Sequence, residues 1–173
     1  MSDTSTQIAT ERVVITGIGL ITSLGFGKEQ FWANILAGKS GVSAIKAFDT
    51  AGYATRIAAE IHDFSAEAFI DKKEARRMDR FVQFGVSAAK LALEDSGLIL
   101  NENNADRVGV MVGSGIGGIL TLEQQTETLL SRGPDRISPF FIPMMIADMA
   151  SGQISIILGA KGPNSSIVTA CAT

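Results

Sequence analysis

Apolar positions along this chain follow two different periods in turn, and the alternation predicts the elements. Arg12 to Ile18 (Arg-Val-Val-Ile-Thr-Gly-Ile) is a continuous β-branched run, the pattern of a strand buried on both faces of a sheet. Beyond Gly19 and Gly25, the stretch from Lys28 to Gly38 puts Phe31, Ile35 and Leu36 on one helical face, with Gly38 just past its C-terminus. Tyr53 to Ile61 alternates weakly and predicts an edge strand or hairpin. From Met78 to Gly97 the residues Val82, Val86, Ala89 and Leu93 recur at helical spacing, which predicts a well-buried helix stopped by Gly97. Arg107 to Val112 reads as a second buried strand, and Gly113 to Gly118 leads from it into a helix over Ile119 to Ser131 closed by Gly133-Pro134. Pro143 suits the first turn of a further helix reaching about Leu158, and Ser166 to Ala170 reads as a short last strand ending at Cys171. Repeated β-α alternation of this kind predicts an α/β fold with a mixed sheet covered by helices.

Composition narrows the class. The 173 residues are 46% hydrophobic and 19% charged, far too apolar for a disordered chain and enough for one buried core. A net charge of −3, with no long block of one sign, argues against a nucleic-acid or membrane-surface binder. Residues 1–11 are polar and read as a flexible tail without a secretory signal, and no apolar run reaches the ~18 residues of a membrane span, so a cytoplasmic protein is expected. One cysteine, Cys171, allows no internal disulfide, and one histidine, His62, leaves no His/Cys metal cluster, so no metal is expected. Only Ala172 and Thr173 follow the last strand, where a sheet strand normally feeds a covering helix. The expectation is one half of a larger domain.

Three constellations carry candidate chemistry. Gly113-Ser114-Gly115-Ile116-Gly117-Gly118 matches G-x-G-x-x-G between a strand and a helix, as a dinucleotide site requires. The acidic residue such a site also needs, at the end of a second strand, is missing from the predicted elements, and tight backbone packing explains the glycines equally well. Thr169-Ala170-Cys171-Ala172-Thr173 sets a thiol between small residues at a strand end, the setting of a nucleophile elbow, although a lone cysteine also serves as a small buried hydrophobe. Lys72-Lys73-Glu74-Ala75-Arg76-Arg77 is a charge run at the opening of the long helix, where the dipole disfavours cations. Either the helix begins later or the charges serve a partner.

Taken in order, Val14 to Gly19, Ala75-Arg76-Arg77-Met78-Asp79-Arg80-Phe81, Gly113 to Gly118, Ser138-Pro139-Phe140-Phe141-Ile142-Pro143 and Thr169 to Thr173 resemble the bacterial 3-oxoacyl-[acyl-carrier-protein] synthase II family, the condensing enzymes of fatty-acid elongation. The resemblance covers only the N-terminal half of that family and implies a thiolase-like fold over residues 12–173. It implies a homodimer without cofactor, acting on the acyl and malonyl forms of acyl carrier protein, with general acid/base histidines and a lysine in the other half. This chain by itself is therefore expected to be inactive.

Residue by residue, the resemblance makes Cys171 the nucleophile, with its own N–H as one oxyanion donor. It makes Ile116 an acyl-pocket residue, and Phe141 and Ile142 pocket residues contributed across a dimer interface. Met144 and Met145, after Pro143, depart from the smaller or polar residues of relatives and leave chain-length preference open. Lys73, Arg76, Arg77 and Arg136 map onto a docking patch for the acidic carrier. The rival readings are a type II polyketide ketosynthase, a nucleotide-binding oxidoreductase built on the glycine-rich turn, and a noncatalytic interaction subunit. His62 reads as an ordinary surface or hydrogen-bonding histidine.

Overall fold

The computed structural model describes residues 12–173, so the predicted tail over residues 1–11 lies outside the described residues. Two short antiparallel pairs come first in the chain. β1 (Ile21–Thr22) pairs with β2 (Gly25–Phe26), and β3 (Ser43–Ala44) pairs with β4 (Ile57–Ala58), which realises part of the hairpin predicted over Tyr53 to Ile61. Between them α1 (Lys28–Leu36) ends at Ala37, and Gly38 takes a positive φ of 65°. Its apolar residues Trp32, Ile35 and Leu36 stay exposed.

α2 (Lys72–Ala75) and α3 (Arg80–Ser96) are separate helices, so the basic run does not open the long helix. The separation has a local cause in two aspartates. Asp71 accepts from the N–H groups of Lys73 (2.8 Å) and Glu74 (3.3 Å), and Asp79 accepts from that of Phe81 (3.2 Å), so each starts its own helix. α3 ends at Gly97, whose φ of 66° makes it a left-handed stop.

β5 (Val110–Gly113) and β6 (Asn164–Ile167) form a parallel pair in the register Val110 with Asn164 through Gly113 with Ile167. Between them run α4 (Ile119–Arg132), α5 (Phe141–Met145) and α6 (Met149–Leu158). α6 lies across both strands and α3 packs against α6. Ile70, Ala75, Met78, Val82, Val86, Ala150 and Ile154 make the core, with Val110 and Val112 from β5 packed onto it.

Several predicted elements differ from this arrangement. Arg12 to Ile18 is not a strand: Val13 is 97% and Ile15 85% exposed, and the segment joins no ladder. It is held instead against α3, where a Cβ on Gly17 or Gly19 would overlap the carbonyl oxygens of Ala92 and Ala88. The Ile18 N–H also donates to Asp95 at 2.9 Å, and Asp95 is paired with Lys28. β5 starts later than predicted and is half-buried on one face only, with Met111 exposed on the other, because helices cover only that side. The helix predicted from Pro143 to Leu158 is broken at Ile146, whose ψ is 139°. The Met145 carbonyl, which a continuous helix would bond to the Met149 N–H, accepts instead from Gly118 at 2.8 Å. β6 starts at Asn164, two residues before the strand predicted over Ser166 to Ala170, and stops at Ile167, three residues short of its end.

One carboxylate joins two of these helices. Asp79 is 5% exposed, and its Oδ2 accepts from both the backbone N–H (2.9 Å) and the hydroxyl (2.6 Å) of Thr121, in the first turn of α4. Gly118, at the cap position of α4, supplies no side-chain acceptor, so Asp79 supplies it from another helix. A second cluster stacks Phe64 on Phe69, sets it edge-on to Phe26 and Phe84, and seats Arg80 above the Phe84 ring at 4.8 Å.

Two outcomes follow for stability. Asp79→Ala should lower the unfolding free energy by about 2–4 kcal/mol in urea melts, because three donors lose their acceptor. Thr121→Val, which loses only the hydroxyl, should cost about 1–2 kcal/mol. The second outcome concerns the Lys28–Asp95 pair. Lys28, followed by the Ile18 N–H, holds the Asp95 carboxyl below its ordinary range, and Asp95 in turn raises the Lys28 ammonium above its own. The Asp95 contribution is therefore present above its ordinary range and lost as pH falls through the lowered value. That of Lys28 is present below its ordinary range and lost as pH rises through the raised value. The melting-temperature difference between wild type and Asp95→Asn should accordingly be largest near neutral pH and shrink below about pH 4 and above about pH 10.5.

Candidate active site

In parallel strand pairs, ligand sites gather beyond the carboxyl ends of the strands. Here both carboxyl ends run into turns made mostly of small residues. The turn Gly113 to Gly118 starts on the last residue of β5; after β6 comes Val168 to Thr173, with a 3-10 turn over Ala170–Ala172. The Ser114 N–H donates to the Ile167 carbonyl at 3.1 Å, extending the ladder by one bond and tying the start of one turn to the other.

The second turn presents Cys171. It is exposed and free, and Ala170 immediately before it has a φ of 51°, a left-handed conformation that costs an alanine about 1–2 kcal/mol. The turn is closed by Thr173, whose Oγ1 accepts from the Thr169 N–H at 2.8 Å. The N–H groups of Ala172 and Thr173 turn back onto the carbonyls of Thr169 and Ala170. That of Cys171 has no acceptor among the described residues, which leaves a backbone donor beside the sulfur. β6 itself is held in place by polar bonds. The Asn164 amide donates to the Ser151 carbonyl (2.9 Å) and the Ser155 hydroxyl (2.7 Å), and the Ser166 hydroxyl donates to the Val112 carbonyl (3.0 Å).

Three of the four glycines in the glycine-rich turn fit between their neighbours only without side chains, whereas a Cβ on Gly115 would meet open space. A Cβ on Gly113 would stand 2.5 Å from Thr173 Cγ2, so this strand end packs directly on the cysteine turn. Gly117 has a φ of 85°, and a Cβ there would meet the Met145 carbonyl oxygen at 2.7 Å. On Gly118 it would overlap the Met144 carbonyl oxygen and approach Asp79 Oδ2 to 3.1 Å. Close packing therefore accounts for these glycines without a bound nucleotide.

Ile116 projects from the same turn and is 72% exposed. Phe141, half-buried, and Ile142, 53% exposed, lie on α5, whose Met145 carbonyl is bonded to Gly118. The glycine-rich turn thus touches the cysteine turn on one side and α5 on the other. Lys73 and Arg76 are exposed on α2 and at its end, and Arg77 follows directly. The Arg77 guanidinium lies 4.6 Å from the centroid of the Phe140 ring, one residue before α5. Arg136 is exposed on a separate turn, Pro134–Arg136. His62 faces Glu60 at 3.7 Å.

The sequence reading missed Asp79 as a link between helices, and it missed Phe140 and Thr173. The signal for Asp79 was present, as an aspartate immediately before a strong helical period is the ordinary mark of an N-cap. Nothing in the spacing points from Arg77 to Phe140 or from Gly113 to Thr173.

Residues 10–173 match the family described as beta-ketoacyl synthase, N-terminal domain. The 3-oxoacyl-[acyl-carrier-protein] synthase 2 of Staphylococcus aureus (strain COL) is 53% identical over 163 residues, covering 94% of this chain and 39% of that protein. The synthase of the same name from Synechocystis sp. (strain ATCC 27184 / PCC 6803 / Kazusa) is 51% identical over 162 residues with the same coverage. Among solved structures, the ishigamide ketosynthase/chain length factor superposes with a TM-score of 0.77 at 29% identity, covering 90% of this chain and 39% of that one. A beta-ketoacyl synthase from Burkholderia phymatum STM815 gives a TM-score of 0.71 at 26% identity, covering 93% and 40%. The chain thus spans about two fifths of the length of the curated relatives it matches.

Gly117→Ala should push the turn away from α5, since both its positive φ and the Met145 carbonyl oppose a Cβ. A loss of about 2 kcal/mol or more in denaturant melts is expected, with faster amide exchange at Gly118. Retention of wild-type stability would contradict this account of the glycines.

Proposed function

Because the chain belongs to the beta-ketoacyl synthase N-terminal domain family, we propose that it carries the nucleophile of a decarboxylative condensing enzyme of fatty-acid elongation. The Cys171 thiolate attacks the carbonyl carbon of an acyl group held as a thioester on acyl carrier protein. The carrier's sulfur leaves as a thiolate and takes up a proton, and the acyl group remains on Cys171. Malonyl carrier protein then loses carbon dioxide. The electron pair released forms the new carbon–carbon bond to the acyl carbonyl, and Cys171 departs as thiolate, leaving 3-oxoacyl carrier protein. The family resemblance assigns decarboxylation to histidines, and His62 is the one histidine in this chain, so condensation depends on residues beyond those matched here.

The observation that carries the reading is the Cys171 turn itself: an exposed thiol after a strained residue, beside a free N–H that could receive the oxyanion of the tetrahedral intermediate. A thiol suits this role because exchange between two thioesters is nearly balanced in energy and stays reversible. In this reading Ile116, Phe141 and Ile142 line the acyl pocket, and the exposure of Ile142 is relieved by a second copy in a homodimer. Lys73, Arg76, Arg77 and Arg136 receive the acidic carrier. The enzyme works in the cytoplasm; among the described residues no helix is long and apolar enough to cross a membrane. The 29% likeness to the ishigamide ketosynthase favours a second reading, a type II polyketide ketosynthase with the same chemistry. The 53% identity to a 3-oxoacyl-[acyl-carrier-protein] synthase 2 outweighs it.

Incubation of the intact protein with acyl carrier protein thioester should add the acyl mass to the peptide containing Cys171, and Cys171→Ala should abolish that adduct along with turnover. An adduct that persists in Cys171→Ala sinks the assignment.

A further inference from the structure

The docking role proposed for Arg77 does not account for its position. Lys72 pairs with Glu67, but Arg77 has no carboxylate partner among the described residues and stacks on Phe140 instead. Phe140 is not a passive surface ring. Its N–H donates to the Ser138 hydroxyl at 3.1 Å, its carbonyl accepts from Met144 at 2.9 Å, and the next N–H, that of Phe141, donates to the Ser138 carbonyl at 3.0 Å. Phe140 is thereby the first residue of the turn that becomes α5, and its backbone is fixed relative to Phe141 and Ile142. At its other end α5 is bonded through Met145 to Gly118, next to the turn that carries Ile116. So α5 is held between Arg77 on one side and the glycine-rich turn on the other.

We propose that Arg77 is a positioning residue: through Phe140 it couples carrier docking to the placement of Phe141 and Ile142, and so contributes to acyl-chain discrimination. The inference rests on the function proposed above. The chemistry is particular to a guanidinium, which can keep its flat face on an aromatic ring while its N–H edge takes a carboxylate. An acidic carrier that occupies that edge neutralises the cation and weakens its attraction to the ring, which loosens the hold on α5 when substrate arrives. A lysine ammonium is a point charge and cannot serve ring and carboxylate from two separate faces.

The test compares Arg77→Lys, Phe140→Leu and Phe140→Tyr with Lys73→Glu as a pure docking change, all in the intact protein. Acylation of Cys171 is followed with short and long acyl groups on acyl carrier protein and on a bare pantetheine arm. Arg77→Lys and Phe140→Leu should each shift the long-to-short ratio of kcat/KM by about threefold to tenfold on carrier-borne substrates. The double variant should shift it no further than either one alone. Phe140→Tyr keeps a ring and should keep the ratio, whereas Lys73→Glu should raise KM equally for every chain length. An unshifted ratio in Phe140→Leu, a shift in Phe140→Tyr, or additive effects in the double variant would each overturn the coupling. If the unaltered protein does not acylate Cys171, it is the function reading that fails. The coupling is then read from amide exchange over residues 141–145, where faster exchange in Arg77→Lys supports it and unchanged exchange overturns it.

Discussion

A single buried carboxylate sets the relative position of the two longest helices. Asp79 closes the N-terminus of α3 through Phe81 and that of α4 through Thr121, although α4 begins some forty residues further along the chain. Orphan N–H groups at a helix start must find acceptors, and a buried start cannot use water. The glycine at the cap of α4 cannot provide one, and it must remain glycine because the Asp79 carboxylate and the Met144 carbonyl occupy the space a side chain would need. Capping and packing thus constrain each other: the residue that brings the helices together also forbids the local cap that would make it unnecessary.

The rest of the site hangs from that junction. With α4 fixed, the Gly113 to Gly118 turn is fixed at one end by β5 and at the other by Asp79. The Gly118 N–H then captures the Met145 carbonyl and breaks α5 from α6. The break lets α6 turn across the parallel pair while α5 stays beside the glycine-rich turn. On the far side, Gly113 packs on Thr173 and so sets the height of the cysteine turn. A narrow pair of strands is stiffened for this purpose by side-chain bonds from Asn164 and Ser166 rather than by further ladder partners.

The basic turn shares the same origin. Arg76 and Arg77 lie between the helix capped by Asp71 and the helix capped by Asp79, so the charges sit in a turn rather than on the unfavourable first turn of a long helix. Asp79 reaches α4 two residues after Arg77 reaches Phe140. One short turn therefore contacts both α4, into which the glycine-rich turn leads, and the residue that precedes α5.

What the sequence determined by itself is what contiguous residues decide. The stripe of Val82, Val86 and Ala89 and the stop at Gly97 define α3 because helical period and a left-handed cap are local properties. The strand-turn-helix around Gly113 to Gly118, and a thiol at a strand end in Thr169 to Thr173, were legible for the same reason. What only the tertiary structure decided depends on a second, distant segment. Arg12 to Ile18 has a strand's composition, but a strand exists only where another edge meets it, and these residues lie against α3 instead. The one-sided burial of β5, the break at Ile146, and the contacts of Asp79 with Thr121 and of Arg77 with Phe140 all turn on which group fills a hydrogen-bonding or packing demand raised elsewhere in the chain. No period or spacing within a single segment encodes that answer, because the partner is selected by how the helices and strands stack in three dimensions.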